Sequence, residues 1–487
     1  MKKIGIYLVA LMCCACGVKE PVAQQTVEQL PAIYPDYTEV TIPYNIAPLR
    51  FMLTHQVDDA VAVLSFGELK VVEQAENGKF LFSEKDWRQL MEAAKGADVQ
   101  VQVYEQMNGQ WTAYQKFSLH VDADEVDSHL AYRLIPPGYQ PYYRMGIYQR
   151  NLTDFTEKPI VENSQTDYNC MNCHSFPMQN PDKMLMHMRA VNGGTYLIEG
   201  EAVEKIDGKV SDEIPSLVYP SWHPNGELIA FSNNKTMQTF FRNDKNRIEV
   251  YDENSNVLVY STKEHKVYTC PQLFSDKALE TFPTFSPDGK TLYFCSAETP
   301  DSMQMPRDYA KIKYSLCSIS FDEKTKSFGN EVDTLYNAKK EGRSAKFPRV
   351  SPDGKHLVFT ISDYGNFSIW HHDADLFIVD LEKGSYKRLD AANSEDTESY
   401  HSWSSNSKWL VFSSRRDDGL YTRPYLVKVN ADGTASKPFV IPQEDPSFYH
   451  EFMFSFNIPE LIKGEVKVKS SALVNVAKNG AASPVSF

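Results

Sequence analysis

The chain has 487 residues, of which 42% are hydrophobic, enough for roughly two to four domains with real cores. Lys and Arg number 50 against 64 Asp and Glu, for a net charge of −14. So acidic a chain excludes nucleic acid and anionic lipid as partners, since both select basic patches, and it suits docking to basic proteins.

Lys2 and Lys3 precede a short apolar run from Ile4 to Met12. The run is too short to span a bilayer and reads as a signal peptide. Cysteines follow at 13, 14 and 16. Residues 1–16 resemble a bacterial lipoprotein signal, with Cys16 after Ala15 as the acylated residue. Cys14, after Leu11, is the alternative, and an ordinary secretory signal is the plain reading. Residues 17–30 are polar and read as a tether. Lys19-Glu20 is similar to the surface-export signals of Bacteroidetes lipoproteins. The expectation is a lipid-anchored protein of the bacterial cell envelope, on an outer membrane, facing periplasm or surface. Its only membrane contact would be the anchor.

Residues 31–150 read as a β-rich, sandwich-like domain. Strands are expected over 39–44, 60–66, 99–104 and 111–121. One helix interrupts them, started by Ser83-Glu84-Lys85-Asp86 ahead of Trp87, Leu90 and Met91.

Residues 151–180 carry the sharpest motif, Cys170-Met171-Asn172-Cys173-His174. Covalent haem attachment needs two thiols for the vinyl groups and an axial ligand for the iron. Cysteines three apart share one face of a helical turn, and the following histidine supplies the imidazole. With 8 cysteines and 12 histidines in the chain, about 0.003 such motifs are expected by chance. Export supports the same reading, because haem is attached outside the membrane. A zinc site would want a second ligand pair, and a redox dithiol a βαβ context; neither is found. A local disulfide remains the plain alternative. The other cysteines beyond the signal, Cys270, Cys295 and Cys317, read as small buried hydrophobes, with one bridge among them left open.

The cofactor expected is covalent haem c, with His174 as proximal ligand. For the distal ligand, His187 is the first candidate and Met184 the second. Read as a strand, Leu185, His187 and Arg189 share one face, while Met184, Met186 and Met188 share the other and read otherwise as core filler. His401 and His450 stay open.

From 181 to 465 the chain repeats itself. The copies are Tyr219-Pro-Ser-Trp-His-Pro-Asn-Gly226, Phe282-Pro-Thr-Phe-Ser-Pro-Asp-Gly289, Phe347-Pro-Arg-Val-Ser-Pro-Asp-Gly354 and a decayed Tyr400-His-Ser-Trp-Ser-Ser-Asn-Ser407. Pro-Asp-Gly makes a tight turn between short apolar strands, and further strands follow each copy. Four strands per unit is a propeller blade. These copies resemble the PD40 (TolB-like) β-propeller repeat. Their spacing exceeds the usual blade of roughly 40–45 residues, which implies long inter-strand loops. The resemblance implies six blades, with five as the alternative. Residues 466–487 read as a tail.

The whole chain is similar to haem-bearing PD40 propeller lipoproteins of Bacteroidetes. That similarity implies a mono-haem cytochrome c for electron transfer at the envelope, with the propeller offering a docking face to redox or other envelope proteins. Two readings stand beside it: a propeller-associated haem reductase with an open iron site, and a TolB-like module that binds protein or glycan without haem. A carrier or binding protein is expected rather than an enzyme.

Overall fold

The computed structural model describes residues 18–136, 144–299 and 302–487. The signal peptide and Cys16 lie outside the described residues. Among those described, no helix is long and apolar enough to cross a membrane, and no disulfide forms among Cys170, Cys173, Cys270, Cys295 and Cys317.

The N-terminal domain pairs a seven-stranded sheet with a three-stranded one. The expected strand over 111–121 is split into Gln110–Ala113 and Phe117–Asp122. The helix spans Glu84–Ala93, and the Ser83 side chain accepts from the Asp86 amide at 3.1 Å. That bond satisfies one of the amides left orphaned at a helix start. Trp87, Leu90 and Met91, one stripe at helical spacing, are its buried face. The domain's core continues without a break into the propeller, from Trp87 and Phe117 to Trp409 and Phe439.

The rest of the chain forms a six-bladed β-propeller of four-stranded antiparallel sheets. Blade 1 takes His129–Ile135, Gly146–Asn151 and Glu157–Glu162, and its innermost strand, Ser455–Ile462, comes from the far end of the chain. The propeller therefore begins near residue 129, not 181, and residues 129–150 belong to it rather than to the N-terminal domain. Such closure by a distant strand removes the free edges an open ring would leave. Blades 2 to 6 begin with the inner strands Met171–Ser175, Val218–Trp222, Ala278–Phe285, Ser344–Val350 and Glu398–Trp403. The segment 151–180 is accordingly no separate haem domain. It ends blade 1 and opens blade 2. Nor is 466–487 a free tail: helix Ser470–Asn479 buries Leu473 and Ala477, and Ser483 and Ser486 bridge to the outer strands of blades 2 and 3.

The repeated turns are held as their sequence demands. In blade 4, Asp288 Oδ1 accepts from Ser286 Oγ at 2.6 Å and from the Lys290 amide at 3.1 Å. In blade 5, Asp353 does the same for Ser351 and Lys355. Gly289 and Gly354 sit at φ 72°, and in the decayed copy Ser407 occupies the same left-handed place at φ 63°, where glycine alone is unstrained.

Candidate functional site

Every inner strand carries one non-glycine residue in the left-handed region: Cys173 (φ 55°), Tyr219 (50°), Phe282 (52°), Phe347 (53°), Tyr400 (45°) and Ile458 (53°). At each, the register with the neighbouring strand slips. A bulge of this kind re-aims its side chain. The six form a ring across the channel. Tyr219, Phe282, Phe347 and Tyr400 touch in series, with centroids 4.6, 4.2 and 4.8 Å apart.

Cys173-His174-Ser175-Phe176 thus stands in the register of Tyr219-Pro220-Ser221-Trp222. The haem-type motif is also the first inner strand of the repeat. It is extended from Met171 to Ser175, not the helical turn expected, because its backbone is committed to the blade 2 ladder with Lys183–Met188.

The ring divides the channel into two chambers. The upper one, about 600 Å³, is lined by Cys170, Asn172 and Cys173 together with Trp370, Tyr400 and the long hairpin of blade 3, through Phe240 and Val250. Arg133, Arg189 and Arg415 also face it. Arg133 is 8% exposed and Arg415 2%, and neither forms an ion pair with a described residue. Arg415 lies 3.6 Å over the Trp370 ring and donates to the Ile369 carbonyl at 2.7 Å; burial lowers its pKa to about 9. Arg133 donates to the Met171 carbonyl at 3.3 Å and keeps Nε without a partner. Buried cations without an ion pair are costly, so the chamber favours an anionic occupant.

The lower chamber, about 150 Å³, is lined by His174, His401, Arg349 and Glu460, with Trp222 and Trp403. Both ring nitrogens of His174 lack a hydrogen-bond partner, with the backbones of Ala131 and Ile458 near the ring. Burial lowers its pKa to about 3, so the imidazole is neutral. His401 is depressed likewise, to about 3, and its Nε2 meets the Val358 carbonyl at 2.9 Å. Burial raises the Glu460 carboxyl to about 8, although the Phe176 amide donates to it at 3.0 Å.

The expected haem residues therefore separate. Cys170 and Cys173 open together on the upper chamber, and burial raises the Cys173 thiol, which makes it a poor free nucleophile. His174 opens on the lower chamber instead. The two distal candidates reach neither. Met184 sits with Met186 and Met188 in one core cluster, while Leu185, on the opposite face, belongs to another. His187, 6% exposed, meets Thr195 Oγ1 at 3.3 Å, and burial lowers its pKa to about 3. Both stand on the second strand of blade 2, whose side chains point between blades. His450 stacks on Tyr34 at 3.8 Å, far from the channel. The residues that sequence reasoning missed are Arg133, Arg415, Arg349 and Glu460. Aligning the repeats exposes the last two: Arg349 and Glu460 stand two after Phe347 and Ile458, as Ser221 stands two after Tyr219.

The thiols and the chamber fit haem c. The room falls within the 300–1,000 Å³ of cofactor pockets, and guanidinium groups answer to propionates. His174 has the neutral, unpartnered ring of an iron ligand but lies beyond the level of Cys173.

No family model matches the chain, and no curated protein does. Solved structures similar to it include an oligogalacturonate lyase in complex with manganese, at 10% identity and TM-score 0.35, over 64% of this chain and 73% of that one. Kuenenia stuttgartiensis hydrazine synthase is similar at 12% identity and TM-score 0.32, over 53% and 63%. Porphyromonas gingivalis dipeptidyl peptidase 4 is similar at 11% identity and TM-score 0.28, over 81% and 58%.

Proposed function

We propose that the protein is a mono-haem c-type cytochrome of the cell envelope, related to PD40 propeller lipoproteins, anchored through an acylated Cys16. The observation that carries this reading is the pair of buried, unbridged thiols, Cys170 and Cys173, opening together on a 600 Å³ chamber lined by cationic side chains. Cys170 and Cys173 would hold the porphyrin, and Arg133 and Arg415 would meet its propionates. His174 is kept as iron ligand on its neutral, unpartnered ring. The bound group would supply one-electron chemistry. What the chain itself does is enclose the group, exclude water with aromatic walls, and present an acidic exterior to basic redox partners.

One observation favours a second reading. Cys173-His174-Ser175-Phe176 obeys the repeat's own register, so the placement of His174 needs no haem to explain it. The protein would then be a binding propeller that recognises an anionic ligand, protein or glycan. The test is the absorption spectrum of protein matured with c-haem machinery, then denatured. Haem that stays with the polypeptide supports the cytochrome; a colourless chain overturns it in favour of the binding module. Carbon monoxide added to the reduced protein then separates a closed carrier from a reductase with an open iron site.

A further inference from the structure

Two residues past the ring, every inner strand presents a polar side chain to the lower chamber: Ser175, Ser221, Thr284, Arg349, Ser402 and Glu460. Four are hydroxyls. The other two are a cation and an acid on either side of Ser402's blade. Arg349 and Glu460 are enclosed by protein yet keep intermediate exposure, their open surface being that of the chamber they line. They form no ion pair with each other or with any described residue. Their side chains bond to backbone: Arg349 Nη1 donates to the Pro348 carbonyl at 3.0 Å, and Glu460 accepts from the Phe176 amide. Burial holds the Glu460 carboxyl largely protonated at neutral pH, an ammonium beside it favours the carboxylate, and a dipolar ligand between Arg349 and Glu460 satisfies both. A cavity near 150 Å³ takes a molecule of about six heavy atoms, and Trp222, Trp403 and Phe285 leave no room for a long side chain.

We propose that the lower chamber binds a small zwitterionic α-amino acid, of glycine or alanine size, with its carboxylate on Arg349 and its ammonium on Glu460. The planar guanidinium suits a carboxylate in bidentate fashion. The ammonium adds to the counter-charge that Arg349 alone gives Glu460. Ser402 stands on the blade between the two groups, with Thr284 on the other side of Arg349 and Ser175 on the other side of Glu460. Arg349 and Glu460 take no part in the haem reading, although His174 lines the same chamber.

Isothermal titration of the full chain at neutral pH tests it, with alanine as probe and propionate and ethylammonium as its two halves. Alanine should bind, and each half should bind at least tenfold more weakly. Arg349→Gln and Glu460→Gln should each cost tenfold or more in alanine affinity. No heat with alanine or glycine, or propionate binding as well as alanine, overturns the proposal, and neither outcome needs a variant to fold. Haem content measured on the same sample keeps this result separate from the cytochrome question.

Discussion

Cys173 and Tyr219 hold the same structural position in adjacent blades. Each is the left-handed residue of an inner strand, at φ 55° and 50°, and each lines both chambers. Where four blades put an aromatic or Ile458 closes the ring, blade 2 puts a thiol. The side of the ring that lacks an aromatic is therefore the side where Cys170 and Cys173 open on the large chamber.

The ring should contribute to stability as well as to partition. Phe282 is 2% exposed and packed between Tyr219 and Phe347. Phe282→Ala should destabilise by about 3–5 kcal/mol, read as a lower urea midpoint at unchanged slope.

The thiols should matter for haem and little for folding. Cys170→Ser and Cys173→Ser should each leave one thioether, visible as a shifted pyridine-haemochrome band, and the double variant should hold no covalent haem. Its melting temperature, measured without haem, should stay close to that of the unsubstituted chain.

His187 should make the fold acid-sensitive. Its pKa falls from 6.5 to about 3 on folding, through burial, so between those values the unfolded chain binds the extra proton. Stability then rises with pH and is lost on acidification below 6.5. Relative to His187→Gln, the natural chain should lose about 2 kcal/mol between pH 6.5 and 5, measured by urea denaturation at each pH.

Glu280 should act in the opposite sense. It is 2% exposed, its Oε2 is unpartnered, and burial raises its pKa from 4.5 to about 8. The folded state therefore holds the extra proton across that window, and stability falls as pH rises through it. Glu280→Gln should gain on the natural chain by about 1.4 kcal/mol per pH unit between 4.5 and 8. A gap that does not change with pH would sink this assignment.

The helix at Ser83, the Pro-Asp-Gly turns, the alternation of methionines with Leu185 and His187, and the propeller itself were all legible in sequence. Each depends on neighbours a few residues away, where side-chain type and backbone preference act directly. Residues 129–150 were misplaced because their partner strand, Ser455–Ile462, lies more than 300 residues on. His187 and Met184 line neither chamber for a related reason. A histidine's spacing from a motif says which face of its strand it takes, not whether that strand is first or second from the channel.

The sequence by itself determined that this chain repeats a four-stranded unit and carries two thiols and an imidazole in haem-type order. Only the tertiary structure decided that this motif is also an inner strand, bulged at Cys173, with Cys170 on the upper chamber, Cys173 in the ring itself and His174 on the lower chamber. That separation is set by the blade's ladder and the closure of the sixfold ring, which are non-local pairings that no five-residue pattern encodes.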